Sequence, residues 1–477
     1  MEAGAIYRQI LAAEPGHADS VHLLGVLAGQ TGDSEGAVGL LRQAVDLRPD
    51  HAESHRNLGI ALKALGRMDE AVAALREAIA LKPDYAEACK NLAAVLHHTG
   101  RLDEAIAVYR QAIALQPGFA EALDNLGVAL REKGLLDEAA DACRRAIALK
   151  PTRPESHNNL GNALHDQGHF DEAIAAYQMA LQLKPDFAQA SNNLGLALKA
   201  KGEADGAIAA FRAALQMKPD YADACINLGN ALKDIGRIAE AITAFRRAIE
   251  LKPDSPDWQH VLAALCGGES ARTSPASYVQ KLFDPYAARF DDHLAQQLDY
   301  RVPEFFREAV AAIAPGGRFD ILDLGCGTGL CGVAFRDIAR ELVGVDLSPA
   351  MIAKAAAKGL YDRLITGDLA AAMQDLHDTF DLILAGDIFI YVGDLGDVFS
   401  AVARTLRSGG LFAFSLERHD GEGFVLRSSI RFAHSLGYIR ELSGKHQFAE
   451  LHVREIIVRR EGVNAVAGWL VVLQKPG

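Results

Sequence analysis

Residues 52–85 read AESHRNLGIALKALGRMDEAVAALREAIALKPDY, and the same pattern returns every 34 residues along the first half of the chain. Pro15, Pro49, Pro83, Pro117, Pro151, Pro185, Pro219 and Pro253 keep that period, as do Gly32, Gly66, Gly100, Gly134, Gly168, Gly202 and Gly236. Leu24, Leu58, Leu92, Leu126, Leu160, Leu194 and Leu228 form a third series. Each residue type has a local reason. The glycine at repeat position 15 can adopt the left-handed conformation that closes a first helix, A. Acidic pairs just after it (Asp69-Glu70, Asp103-Glu104, Asp137-Glu138, Asp171-Glu172) suit the positive end of a second helix, B. The proline ends helix B because it cannot continue the hydrogen-bond ladder. Small residues let the two helices approach, and one pair cannot bury its own apolar face, so the units stack. The spacing predicts seven repeats at 18–51, 52–85, 86–119, 120–153, 154–187, 188–221 and 222–255, with a half unit before them at 1–17. Residues 256–265 (PDWQHVLAAL) read as a helix that caps the last repeat.

A 34-residue period with early Leu-Gly, a later Ala-x3-aromatic and a closing Pro resembles the tetratricopeptide repeat (TPR). The recurring Asn-Leu-Gly is most similar to the TPR arrays of O-GlcNAc transferases. Asn57, Asn91, Asn125, Asn159, Asn193 and Asn227 all occupy repeat position 6. At about 100° per residue, position 6 lies roughly 120° from the centre of the buried Leu face, on the side that lines the inner groove. Asparagine is a mediocre helix former, so propensity does not explain six of them. A carboxamide ladder could grip the backbone of a protein or peptide partner; the alternative is that the same side chains hold the repeat stack together. Neighbouring position 5 (Arg56, Lys90, Asp124, Asn158, Asn192, Ile226) varies and is expected to be exposed beside them.

From Cys266 to Pro275 the repeat breaks into a Gly/Ser/Pro linker, so residues 256–275 are expected to join two domains, 1–255 and 276–477. Beyond it, short apolar runs alternate with helical stretches, the mark of an α/β domain with a parallel sheet. Phe319–Leu324 runs directly into Gly325-Cys326-Gly327-Thr328-Gly329, where missing side chains let a ligand lie against the backbone between strand and helix. Leu342–Val345 ends in Asp346, placed to accept hydrogen bonds from both hydroxyls of a ribose. Thr366-Gly367-Asp368, then Phe380–Ala385 with Gly386-Asp387, and Arg407-Ser408-Gly409-Gly410 before Leu411–Leu416 follow in order, with further strands near 451–458 and 468–473.

The ordered set DLGCGTG, GVDLSPAMIAKA, TGDL, FDLILAGD and LRSGGLFAFSLE resembles class I S-adenosyl-L-methionine (SAM)-dependent methyltransferases over about 200 residues. The resemblance implies a Rossmann-like domain. In it Asp323 and Gly325–Gly329 would hold the methionine moiety, Asp346 the ribose with Leu347 and Met351 packing nearby, and Asp368 and Leu369 the adenine. Asp387 with Ile388 would border the sulfonium and the acceptor. Asp368 could instead be a strand-end cap and Asp387 a helix N-cap. FDPYAARFDDHL and RSSIRFAHSLGYI are similar to a bacterial group that fuses TPRs to a methyltransferase, and the aromatic stretch from Tyr278 to Phe306 to helices that cover the cofactor. Tyr286, Phe290, Tyr300 and Arg301 are candidates there, though a packed helix pair is the plainer use of such residues. A base is needed only if the acceptor must lose a proton; His293, Asp387, Glu417, His419 and His434 are conceivable, and no catalytic residue is assigned.

The remaining composition narrows the function. Half of the residues are apolar and 23% are charged. A net charge of −13 argues against a nucleic-acid partner, which needs a basic stripe. The apolar run 465–473 has strand length and is too short to span a membrane. Six cysteines show no CxxC pair and no zinc spacing, which points to a reducing, cytoplasmic setting without a metal. Register separates the glycine loop from nicotinamide-dependent enzymes: Leu330 stands where the motif that starts at Gly325 needs its third glycine. Asp387-Ile388-Phe389-Ile390 is not the acidic or amide residue before Pro-Pro-aromatic that amide or adenine nitrogen methylation uses, and it contains no Pro-Cys nucleophile. The reading is a SAM-dependent methyltransferase with a protein-docking array and an unknown methyl acceptor. The alternative is a TPR scaffold whose SAM-binding domain is catalytically inactive.

Overall fold

The computed structural model describes residues 2–267, 271–291, 300–374, 376, 379–461 and 464–477. Contacts divide it into two compact units, Met1–Arg237 and Ile238–Gly477.

The first unit is all helical. Glu2–Ala13 is followed by A helices at Ala18–Gln30, Ala52–Ala64, Ala86–His98, Ala120–Glu132, Pro154–Asp166, Ala188–Ala200 and Ala222–Asp234. The B helices between them are Ser34–Leu47, Met68–Leu81, Leu102–Leu115, Leu136–Leu149, Phe170–Leu183 and Ala204–Met217. Each turn from A to B passes through the position-15 glycine, with φ between +74° at Gly66 and +87° at Gly32 and Gly202. The small residues act as expected: a Cβ added at Gly161 or Gly195 would lie 2.5 Å from the ring of Tyr177 or Phe211 on the paired B helix. The result is a TPR solenoid whose core is contributed repeat by repeat, from Val38, Leu41 and Leu58 through Tyr109 and Leu126.

The second unit opens with helices Ile238–Leu251 and Pro256–Leu265. Trp258 stacks on Phe245 with centroids 6.5 Å apart, joining these two. The linker is not loose where it is described. Arg272 O accepts from Gly393 N–H at 2.9 Å, and Ser274 N–H donates to Tyr391 O at 2.9 Å.

Among the described residues nine strands follow: β1 Phe319–Leu324, β2 Ala339–Asp346, β3 Arg363–Thr366, β4 Phe380–Ala385, β5 Leu406–Glu417, β6 Phe424–Leu426, β7 Phe432–His434, β8 Ala449–Glu461 and β9 Asn464–Gln474. Seven form one sheet in the order β3-β2-β1-β4-β5-β9-β8, and β6 pairs with β7. β1 to β5 are parallel, while β9 runs antiparallel between β5 and β8. Both faces of the sheet are covered, which is why its strands read as continuous apolar runs. Leu322, Val343, Ile383 and Phe412 face one core, and Ile321, Leu342, Leu382 and Ala413 the other. The order reverses between β1 and β4, and a crevice opens at the carboxyl ends of the strands there. The segment Ser408-Gly409-Gly410, expected to precede a strand, lies inside β5 with Gly409 at φ +76°.

Candidate functional site

The loop after β1 is built from backbone. Gly325, Gly327 and Gly329 have φ of +68°, +54° and +95°, which L side chains rarely adopt. A Cβ at Gly325 would also sit 2.7 Å from Ile388, so the loop and the end of β4 approach through that missing side chain. Asp346 then pins the loop from the neighbouring strand. Its Oδ2 accepts from Gly327 N–H at 2.9 Å and its Oδ1 from Ser348 N–H at 2.8 Å. Burial pushes the Asp346 carboxyl up, against the pull of these N–H groups. Ser348 in turn caps the helix Pro349–Ala357 by accepting from Met351 N–H at 3.1 Å.

A cavity of about 1030 Å³ lies over these groups. Of the residues named from the sequence, Gly325, Cys326, Gly327, Thr328, Asp346, Leu347, Met351, Asp368, Leu369, Asp387, Ile388, Tyr286, Phe290 and Tyr300 line it. Three do not. Asp323 lies beneath the loop, 1% exposed, where it accepts from Tyr361 Oη–H at 2.6 Å. Gly329 serves as the left-handed N-cap of the helix Leu330–Phe335. Arg301 points to solvent with its guanidinium 5.3 Å from the Phe305 ring, so cation–π packing outside the cavity replaces the expected cofactor contact.

One wall comes from residues 273–290, which are tied down by polar anchors. Gln280 Nε2 donates to Leu347 O at 3.1 Å, and the Ser348 and Thr328 hydroxyls donate to Asp284 and Asp291. The segment also holds to the helix Pro256–Leu265: Lys281 pairs with Asp257 at 2.6 Å, and His260 bonds Ser274 Oγ at 3.0 Å. The role of the aromatics splits accordingly. Phe283, Tyr286, Phe290 and Tyr300 face the cavity, whereas Phe306 is core and Tyr278 packs edge-on against His260.

Asp368 lines the cavity and also caps the short helix Leu369–Ala372, accepting from Ala370 and Ala371 N–H at 2.9 and 3.1 Å. Asp387 is not a helix cap. It sits at φ +54°, and both carboxylate oxygens meet Arg459 Nη1 at 3.1 and 3.2 Å. The other terminal nitrogen of Arg459 pairs with Glu417, which Arg427 also approaches at 3.5 Å. Burial pushes the Asp387 carboxyl up to about 6 even with Arg459 beside it. Among the other conceivable bases, Glu417 is locked in that network, and His419 does not line the cavity. His434 is buried, bonds Gly393 O at 2.9 Å and is lowered to about 4 by desolvation; His293 lies outside the described residues. Phe283, from the aromatic stretch Tyr278 to Phe306, also lines the cavity, as do five residues outside the sequence candidates, Thr273, Ser274, Tyr391, Ser429 and Arg431. The last two belong to RSSIRFAHSLGYI, a stretch singled out only as a whole.

In the first unit the position-6 asparagines are half-buried, and Asn57, Asn193 and Asn227 bond to the preceding repeat. Asn193 Nδ2 donates to Asn158 Oδ1 at 3.1 Å and Asn162 Oδ1 at 3.0 Å, Asn227 Nδ2 to Asn192 Oδ1 at 2.9 Å, and Asn57 Nδ2 to His22 Nε2 at 3.3 Å. Position 5 corrects the expectation of exposure: Asp124, Asn158, Asn192 and Ile226 are 1%, 3%, 4% and 6% exposed. The reason is geometric, because position 5 faces the A helix of the following repeat. Asp124 there accepts from Ser156 Oγ and pairs with Arg153, each at 2.8 Å.

Comparison with known proteins agrees with both halves. The family profile of the cilia and flagella-associated protein 70 C-terminal domain matches residues 1–192, and that of the tetratricopeptide repeat residues 198–265. A methyltransferase-domain profile matches residues 321–410. Methyltransferase-like protein 27 of Homo sapiens is 40% identical over 90 residues, 18% of this chain and 36% of that protein. The biotin biosynthesis bifunctional protein BioHC of Saccharophagus degradans is 30% identical over 142 residues, 29% of this chain and 24% of that protein. The 18S rRNA (guanine-N(7))-methyltransferase of Bos taurus is 39% identical over 61 residues, 13% of this chain and 22% of that protein. The chain thus spans only about a third or less of the length of these relatives. It joins tetratricopeptide repeats at its N-terminal end to a methyltransferase domain at its C-terminal end. Among the described residues no helix is long and apolar enough to cross a membrane, and no cluster of three or more His, Cys, Asp or Glu could hold a metal.

Proposed function

We propose that this chain is a SAM-dependent methyltransferase whose repeats, residues 1–255, dock a protein or peptide for the domain at 276–477. The observation that carries the reading is convergence: a glycine backbone loop, the three carboxylates Asp346, Asp368 and Asp387, and the aromatic faces of Phe283, Tyr286, Phe290 and Tyr300 line one cavity at the switch point of the sheet. That donor set fits an adenosine-bearing sulfonium. Asp346 would accept from the ribose hydroxyls and Asp368 from the adenine amino group, since each carboxylate oxygen carries more than one lone pair. Phe283, Tyr286, Phe290 and Tyr300 offer faces for the adenine or the cation, and Asp387 offers a negative charge beside the cation. Bound SAM supplies an electrophilic methyl group. This chain's residues hold the acceptor in line with it and keep water out, and they contribute mainly by positioning.

One observation favours the inactive-scaffold reading: Arg459 engages both Asp387 and Glu417, so neither carboxylate is poised as a general base. An acceptor whose attacking atom already carries a lone pair and no proton needs none. The six free cysteines fit a reducing compartment such as the cytoplasm. Incubating the full chain with methyl-tritiated SAM and cell lysate separates the two readings. Label entering a protein or small molecule supports the enzyme. SAM binding without transfer to any fraction supports the scaffold.

A further inference from the structure

The contact that joins consecutive A helices recurs along the repeats with one change of chemistry. Position 6 of one repeat donates to position 5 of the repeat before it at the junctions made by Asn57, Asn193 and Asn227. Asn193 meets Asn158 and Asn227 meets Asn192, so the acceptor in both is an amide. At the first junction Asn57 Nδ2 donates at 3.3 Å to His22 Nε2, and the acceptor is an imidazole. His22 is buried, and of the position-5 residues His22, Arg56, Lys90, Asp124, Asn158, Asn192 and Ile226 it alone titrates near neutral pH in its ordinary range.

The direction of every hydrogen bond at this junction is set by its neighbours. Arg56 Nη2 and Nε donate to Asn57 Oδ1 at 2.9 and 3.3 Å, which turns the amide NH2 toward His22. His22 Nε2 therefore accepts and carries no proton. A neutral ring then has its proton on Nδ1, which donates to Ser54 Oγ at 2.8 Å. The Ser54 hydroxyl in turn donates to His51 Nδ1 at 2.7 Å, and the His51 ring stands edge-on to His22 with centroids 5.1 Å apart. A proton on His22 Nε2 would point at the Asn57 NH2, and turning that amide over would point its NH2 at Arg56 instead. Burial, then the neighbouring His51, hold the His22 imidazole below its ordinary value; Arg48 and Arg56 act in the same sense and Asp19 opposes them. Asp19 is itself paired with Arg48, and Glu53 lies against His51 at 3.5 Å and Lys82 at 3.6 Å.

We infer that the junction between the first and second repeats is a proton-operated joint, closed while His22 is neutral and loosened when it takes a proton, whereas the amide junctions further along stay closed. A folded value below the unfolded one, about 6.5, means that the unfolded repeats bind the extra proton. The stability of the joint is therefore present above about pH 6.5 and is lost as pH falls through the folded value. Each repeat contacts only its neighbours, so the loosening stays at this end of the array. The joint does not depend on the docking or methyltransferase readings; on the docking reading, acid shortens the groove by its first repeats.

Amide hydrogen exchange of the full chain at about pH 7.5 and about pH 5.5, each referred to the intrinsic rate at that pH, reads the joint helix by helix. The reporter is the helix Ala52–Ala64, because Ala18–Gln30 is also capped by His17, which accepts from Ser20 N–H at 3.2 Å. His55 within the reporter donates Nε2–H to Pro49 O at 2.8 Å in either charge state. The control is Ala188–Ala200, which sits at an amide junction and contains no histidine. Protection of the reporter relative to the control should fall by roughly 10-fold or more in acid, the equivalent of a shift of about one pKa unit. His22→Asn installs the amide of the later junctions and should bring the acid loss down to that of the control. Asn57→Asp should do the same by another route, since a carboxylate accepts from protonated His22. Thermal melts at about pH 7.5 report the folding of each variant, and Asn57→Asp decides the matter if His22→Asn does not fold. Equal acid loss in reporter and control of the wild type, or wild-type acid loss in either folded variant, overturns the inference.

Discussion

Asp346 at the end of β2 accepts a 2.9 Å hydrogen bond from the backbone N–H of Gly327, so one carboxylate both shapes the glycine loop and faces the cavity beside it. The residue assigned to the ribose is therefore also the latch of the loop. Asp346→Ala should weaken SAM binding by roughly 100-fold or more, since a charge-assisted hydrogen bond contributes about 1.5–3 kcal/mol and two are lost. It should also lower the melting temperature of the unliganded protein, because Gly327 and Ser348 N–H lose their acceptor. Calorimetry and melts measure the two effects separately. Unchanged SAM affinity would remove Asp346 from the site.

The boundary of a working fragment follows from the helix Pro256–Leu265. Asp257 and His260 anchor Lys281 and Ser274, and Thr273 and Ser274 line the cavity. Residues 238–477 should fold and bind SAM, whereas residues 276–477 should be less stable and bind more weakly. Equal melts and equal affinities for the two fragments would show that this helix only caps the repeats.

Asp323 gives a pH signature. Burial is the main cause that raises its carboxyl to about 7, with the charge of Asp346 adding to it. A folded value above the unfolded one means that the folded state binds the extra proton. The associated stability is present below about pH 4 and is lost as pH rises through about 7. Asp323→Asn should remove this part of the pH dependence and gain relative to wild type at pH 8, on the order of a few kcal/mol at most. Melts of both proteins between pH 4 and 8 test it; parallel curves would mean that Asp323 does not titrate in this window.

The asparagine series makes a prediction about stability. Asn193 and Asn227 each donate to the preceding repeat, so replacing both with Ala should cost about 0.5–1.5 kcal/mol per bond lost, offset in part by the better helix propensity of Ala. A lower melting temperature with undiminished partner capture would assign the series to stacking. Lost capture in a protein that melts like wild type would assign it to the groove.

Features set by local chemistry were legible in the sequence. The position-15 glycines and the bounds of β1 and β4 follow from residue type and spacing alone. What was not legible depends on partners distant in the chain. Asp387 read as a possible helix cap because Arg459 lies 72 residues away on β8. Position 5 read as exposed because a single helix does not reveal which face the next repeat covers. Ser429 and Arg431 carry no motif, and they reach the cavity only through the left-handed turn at Ile430. Arg301 was drawn in by its aromatic neighbours, yet it packs on the solvent side of Phe305.

SAM is proposed to bind in the cavity at the carboxyl ends of β1, β2 and β4. Isothermal titration of the purified full chain with SAM, S-adenosylhomocysteine and NAD measures this directly. One saturable site for SAM and S-adenosylhomocysteine, and no heat from NAD, is the expected result. Absence of SAM binding by folded protein, or binding of NAD in its place, would contradict it.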